Sequence, residues 1–290
     1  MKSETFKLRR SEAALGAEIT GIDLAQPIST EIFNKIENAF NENIVVVFRG
    51  QNLGPEQLIQ FSRQFGELEV NINSKFSLPN HPEVLLVSNI VENGSPIGLI
   101  DAGRTWHTDM SYTLNPPRCS LLHAKEIPVQ DGVSLGDTLF VSTVAAYEAL
   151  PEDKKEKLDG LKAIHRFSAK MAARRKTKGT MREISEKEMQ IPDVVHPVIR
   201  THPITGKKSI YVSDGECVGI PGMPDNEALD LIKELSDFCQ RDEFMYRHKW
   251  QPGDLLMWDN CMAQHLAVQD YALPQRRLML RTTVNGTIPF

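Results

Sequence analysis

Three things the chain lacks narrow the field before any motif is read. None of its 290 residues falls in an apolar run long enough to span a bilayer, and its start, MKSETFKLRRSEAALG, has no apolar stretch of signal-peptide length. Its four cysteines (Cys119, Cys217, Cys239, Cys261) lie far apart and form no CxxC pair, which speaks against a zinc-thiolate site or a disulfide framework. Positive charge is in deficit: 33 Lys and Arg against 38 Asp and Glu leave a net charge of −5, so no overall field favours nucleic acid or an anionic membrane. Repeats, heptads and low-complexity linkers are missing too, while 41% hydrophobic and 24% charged residues exclude a disordered or fibrous chain. The expectation is a cytoplasmic, homo-oligomeric protein with buried thiols. Its partner is a small molecule, neither nucleic acid nor membrane.

What is present is mostly a β pattern. A strand-like segment at 19–24 precedes a helix over 30–41, with Ile32, Phe33, Ile36 and Phe40 on one face. The five apolar residues 44–48 read as a strand buried on both faces. Pro55 opens a second helix with Leu58, Phe61 and Phe65 in a stripe, ended by Gly66. Short strand-like runs follow at 84–87, 120–124, 138–141, 198–200, 210–212, 255–258 and 278–284, with a hairpin connection at 201–206 and one late helix at 228–239. Their number and loose spacing predict an α+β, mainly β fold: a sandwich or jelly roll (double-stranded β-helix) core with flanking helices. The whole of 1–290 is read as one domain. Within it, the charged stretch 168–189 (Lys170, Arg174, Arg175, Lys176, Lys178) is either a mobile lid or a solvated surface insertion.

Chemistry concentrates at Trp106-His107-Thr108-Asp109-Met110. In an extended segment, residues two apart share a side, so His107 and Asp109 can offer an imidazole and a carboxylate to one ion. Alone, His-x-Asp is weak. A strand running from Asp254 into a loop that bears His265 offers a third ligand, and two histidines with one carboxylate make the facial triad of non-haem Fe(II) oxygenases. After it, Arg277 and Arg281 stand four apart on a strand-like run and face the same way. Guanidiniums aimed into a β interior need anionic partners, either a ligand carboxylate or internal Asp and Glu.

With these residues the chain resembles the taurine dioxygenase and 2,4-dichlorophenoxyacetate dioxygenase family of Fe(II)/2-oxoglutarate oxygenases. The likeness runs nearly end to end, through LGAEITGIDL, Arg49-Gly50-Gln51, FGEL, WHTD, GDTLF, the His196 to Gly206 segment, GDLLMWDN and PQRRLMLRTT. It implies that His107, Asp109 and His265 bind Fe(II), that Arg277 and Thr138 hold the distal carboxylate of 2-oxoglutarate, and that Arg281 lies near the substrate's acidic group. It further implies oxidative decarboxylation of 2-oxoglutarate by O₂ to succinate and CO₂, with hydroxylation of a substrate C–H bond and C–S or C–O cleavage where that carbon bears a heteroatom. Asn71 and Ser74 stand where taurine enzymes carry a histidine and a tyrosine, and Gly103 where they carry an asparagine. These departures point from taurine toward another small organic acid, with Asn71 still in the substrate region.

The competing expectations are an amine or amino-acid substrate held by Asp101, a Zn²⁺ hydrolase built on the same triad, and a non-catalytic jelly-roll binding protein. His81, His123, His165, His196, His202 and His248 read as structural or solvated, Trp250 and Trp258 as core aromatics, and Lys170 as a solvated lysine that could meet a substrate anion.

Overall fold

Alternation within a single strand organises the molecule. In the computed structural model, which describes residues 5–70, 74–179, 181 and 183–290, the strand Val45–Phe48 is buried along its whole length. Val46 and Phe48 enter one hydrophobic cluster and Val45 and Val47 another, as a strand with period two and two covered faces requires. It lies inside an eight-stranded sheet. From one edge to the other its order is Lys7–Arg10, Ala17–Thr20, Val45–Phe48, Leu255–Asp259, Cys119–Glu126, Leu278–Val284, His81–Ser88 and Ser77–Leu78. Neighbours pair antiparallel except Ala17–Thr20 with Val45–Phe48, so the chain is mainly β and mostly antiparallel.

Helices cover the first face. Thr30–Asn43 begins at Ser29, whose hydroxyl accepts from the Ile32 amide at 3.3 Å, and buries Ile32, Ile36 and Phe40. Pro55–Ser62 continues as a short 3₁₀ turn to Phe65, and Phe61, Phe65 and Phe48 pack edge to face over the sheet. Each fully buried Ile or Phe here contributes on the order of 1.5–3 kcal/mol. Ile44, expected in the strand, instead caps the first helix at φ 68° with its amide bonded to the Phe40 carbonyl, because a helix running straight into a strand must reverse its backbone somewhere. The segment at 19–24 is likewise shorter as a strand, stopping at Thr20 where Gly21 turns at φ 84°.

The second face packs against a three-stranded sheet of Met245–His248, Thr138–Ser142 and Ala263–Ala267. Phe140 and Ala263 of this sheet share one cluster with Leu256 and Met279 of the large sheet. A second three-stranded sheet (Val194–Pro197, Lys162–His165, Cys217–Gly219) and the helix Asp225–Cys239 form a third cluster beside it. The strands Ile199–Thr201 and Lys208–Ile210 pair antiparallel around the turn expected at 201–206. All four cysteines are buried and free. Among the described residues, no helix is long and apolar enough to cross a membrane. Of the predicted segment 168–189, Ser168 to Arg175 belong to the helix Phe167–Arg175, which has one buried face, and a short helix follows at Glu186–Met189. Asn71 lies outside the described residues.

Candidate active site

His107 and His265 meet across an isolated antiparallel bridge in which each backbone N–H donates to the other's carbonyl, at 3.2 and 2.9 Å. His265 belongs to the strand Ala263–Ala267. His107 belongs to no longer strand, but it is paired as a strand residue at this bridge, and Asp109, two residues on, faces the same rings before the chain turns, with Met110 at φ 50°. Thr108 fastens the turn, its hydroxyl donating to the Ala263 carbonyl at 2.7 Å. Asp109 Oδ1 then stands 3.6 Å from His107 Nε2 and 4.0 Å from His265 Nε2. All three residues are buried, and one ligand atom from each lies within 4.8 Å of the others.

The short hydrogen bonds around the triad spare the atoms that could coordinate; Asp109 Oδ1 accepts only a long one, from Arg281 Nη1 at 3.5 Å. His107 Nδ1 lies 2.8 Å from the Thr105 carbonyl and 3.0 Å from that of His265; both only accept, so Nδ1 carries the proton and Nε2 keeps its lone pair. Ser120 Oγ donates to Asp109 Oδ2 at 2.6 Å, which leaves Oδ1 facing the histidines. Asn260 Nδ2 donates in turn to Ser120 Oγ at 3.2 Å, and Trp258 Nε1 to Asn260 Oδ1 at 3.0 Å. A directed chain of buried hydrogen bonds therefore orients the carboxylate.

Electrostatics match the geometry. Burial holds His107 below the ordinary imidazole range, with Lys170 adding to the effect, and burial with the neighbouring His107 holds His265 well below it. For Asp109 burial pushes upward, but Arg281 and the two histidines outweigh it and keep the carboxyl well below the usual range. Two neutral imidazoles and one ionised carboxylate are the donor set of a divalent transition-metal ion, so these residues fit a metal such as iron.

The triad opens on a cavity between the two packed sheets, and Thr138, Arg277 and Arg281 line the same cavity. Arg277 directly precedes the strand Leu278–Val284 and is buried between the rings of Trp250 and Tyr271, with centroids 5.6 and 5.5 Å from its guanidinium carbon. It donates to the Gly136 carbonyl, and among the described residues no carboxylate pairs with it. Gly136, at φ 74°, has to be glycine, since a Cβ there would run into Arg277 Nη1 and the Tyr271 ring. Trp250 Nε1 donates to Thr138 Oγ1 at 3.0 Å, which leaves the Thr138 hydroxyl hydrogen to point elsewhere. Arg281 Nη1 lies 3.5 Å from Asp109 Oδ1. Internal pairing therefore accounts for Arg281 in part and for Arg277 not at all.

A family model described as taurine catabolism dioxygenase TauD, TfdA family matches residues 4–283. The chain belongs to this dioxygenase family. It is 33% identical over 279 residues to the alpha-ketoglutarate-dependent 2,4-dichlorophenoxyacetate dioxygenase of Cupriavidus pinatubonensis, covering 92% of this chain and 93% of that protein. It is 30% identical over 290 residues to an alkylsulfatase of Acinetobacter baylyi, covering 99% and 87%. Among solved structures, AAD-2 in complex with Mn(II) and N-oxalylglycine superposes with a TM-score of 0.80 at 28% identity, covering 98% of this chain and 99% of that one.

Within this family frame, three sequence readings change. Lys170 is not solvated: it is 4% exposed, lines the cavity and pairs with Glu216. Trp250 and Trp258 are buried, as core aromatics are, but both also form cavity wall. Asp101 is fully buried and does not line the cavity, so an amine substrate loses the residue offered to hold it. His123, His196, His202 and His248 are spent on Gln51, Thr113, Asp259 and Asp254. Sequence reasoning missed Ser120, Asn260 and Tyr271. Only the WDN run hinted at Asn260, because a serine in a strand and a tyrosine in a loop carry no local mark of the group they meet.

Proposed function

We propose that this protein is an Fe(II)- and 2-oxoglutarate-dependent dioxygenase that hydroxylates a small organic acid, with a double-stranded β-helix core formed by the two packed sheets. What carries the reading is one combination: an ionised carboxylate between two neutral imidazoles, sharing a cavity with a buried guanidinium that has no carboxylate partner among the described residues. His107, Asp109 and His265 would hold the iron. Bound iron supplies the redox chemistry, by which 2-oxoglutarate and O₂ become succinate and CO₂ and one oxygen atom enters a substrate C–H bond.

The chain's own residues supply placement. Arg277 pairs with the distal carboxylate of 2-oxoglutarate through its planar fork, and the Thr138 hydroxyl donates to the same group. Its two flanking rings hold the fork in one orientation before the cosubstrate arrives, which reduces the ordering cost of binding. Arg281 faces the substrate's acidic group across the triad. Residues 1–290 act as one domain, and 168–189 covers the cavity. Arg104 fastens that cover, donating to the Lys178 carbonyl at 3.2 Å. The name of the 2,4-dichlorophenoxyacetate relative supports an acid substrate. The free buried cysteines support a cytoplasmic setting, where the protein acts as a homo-oligomer.

Purified protein loaded anaerobically with Fe(II) and 2-oxoglutarate tests the proposal. On admitting air, succinate release is expected to rise with at least one of 2,4-dichlorophenoxyacetate, an alkyl sulfate or an alkanesulfonate. Failure to consume 2-oxoglutarate under any of these conditions overturns it.

A further inference from the structure

The helix Phe167–Arg175 buries Phe167, Lys170, Met171 and Arg174, spaced as one helical stripe, and all four line the cavity. Lys170 is the unusual member. Its counter-charge, Glu216, lies behind the wall, in a separate small cavity, and is braced there by Ser111, whose hydroxyl donates to Glu216 Oε2 at 2.8 Å. Among the described residues Glu216 is the only acceptor for the Lys170 ammonium, which has three N–H donors to place. The ammonium also stands 5.4 Å over the ring of Tyr112, a further residue of the cavity wall. From the large sheet comes Arg281, whose Nε is buried without a hydrogen-bond partner and whose Nη1 is 3.5 Å from Asp109. Of the charged side chains lining the cavity, Asp109 is the single carboxylate, against Lys170, Arg174, Arg277 and Arg281.

We infer that Lys170 is a substrate-binding residue that, together with Arg281, clamps the oxyanion of the acid. Phe167 and Met171, its neighbours on the stripe, carry an apolar body. The substrate class follows: an acid with one anionic head and an uncharged apolar remainder. A zwitterion such as taurine is excluded, because its ammonium would enter a wall that presents Lys170 and Arg174. The inference rests on the dioxygenase reading and sharpens its substrate.

The test measures binding without turnover, by calorimetry on protein loaded with Mn(II) and N-oxalylglycine. The probes are 2,4-dichlorophenoxyacetate against its methyl ester, and propane-1-sulfonate against taurine, which differs from it by an ammonium in place of a methyl. Lys170→Met alone strands a buried glutamate and endangers the fold, so the decisive variant is Lys170→Met with Glu216→Gln, which leaves the net charge unchanged. In the unaltered protein each simple acid is expected to bind at least tenfold tighter than its counterpart. In the double variant the acid loses tenfold or more, the ester less than twofold, and the preference collapses. An acid preference that survives in the double variant reduces Lys170 to the partner of Glu216 and overturns the inference. So does taurine binding as tightly as propane-1-sulfonate, or loaded protein that binds neither acid. Protein unable to take up Mn(II) and N-oxalylglycine overturns the dioxygenase reading instead.

Discussion

Among the described residues, two buried groups bring histidine and aspartate within metal-binding distance: His107, Asp109 and His265 in one, His202, Asp259 and Cys261 in the other. In composition they are near twins. In the second, His202 Nδ1 accepts from the Thr205 amide at 2.9 Å, so Nε2 carries the proton and donates to Asp259 Oδ2 at 3.0 Å. Asp259 Oδ1 accepts from the Cys261 amide at 2.7 Å, and burial pushes the Cys261 thiol far above its ordinary range. Every good donor atom there is spent. In the first group the short hydrogen bonds fall on Nδ1 of His107 and Oδ2 of Asp109, and Asp109 Oδ1 accepts only a long one, from Arg281 Nη1 at 3.5 Å, which leaves His107 Nε2 and a lone pair of Oδ1 facing inward. Proximity does not make a metal site; unspent lone pairs do.

The largest effect that can break this contrast is in metal uptake. Asp109→Ala is expected to abolish stoichiometric Mn(II) binding, followed by electron paramagnetic resonance, and succinate release with it. Asp259→Ala should keep one Mn(II) per chain and lose stability instead, by about 1–3 kcal/mol for each of the two buried donors it strands, His202 Nε2 and the Cys261 amide. Metal loss in Asp259→Ala would erase the distinction.

Spent and unspent groups also separate the two arginines. Arg281 shares Asp109, whereas Arg277 has no carboxylate partner among the described residues. Arg277→Ala should therefore weaken 2-oxoglutarate by roughly 2–5 kcal/mol, a few tenfold steps in the titration. An unchanged affinity would return Arg277 to a structural role.

A smaller change probes how the carboxylate is aimed. Ser120→Ala removes the donor to Asp109 Oδ2. Orienting partners of this kind are typically worth about 10–100-fold in metal affinity, and Mn(II) titration should show a loss of that size with the three ligands in place.

The smallest effect concerns His165, which among the described residues meets the Cys217 thiol and pairs with no carboxylate. Burial drives His165 down to about 3. An unfolded histidine titrates near ~6.5, so between these values the unfolded chain binds more protons than the folded one. This contribution is complete above the unfolded value and falls as pH drops, by up to ~1.4 kcal/mol per pH unit. Urea midpoints at neutral and mildly acidic pH should diverge less in His165→Gln than in the unaltered chain.

Much of this was legible before folding, and the boundary has a physical cause. Local spacing reports which residues turn inward together. The stripe Ile32, Ile36, Phe40 therefore marked its helix, the unbroken apolar run 44–48 marked a strand covered on both sides, and Arg277 with Arg281 were read as sharing a face that the cavity indeed exposes. The motif around His107 drew attention to the right segment, although the extended part is a single bridge and the chain turns from Asp109 onward. Spacing cannot report what a buried group meets. Whether Lys170 faces water or a cavity depends on Glu216, 46 positions away, and Asp109 depends on Ser120 and Arg281 from two other strands. The same holds for the two histidine and aspartate groups: their residue types are nearly the same, and only long-range packing, by assigning each lone pair a partner or none, separates the group at His107 from the one at His202.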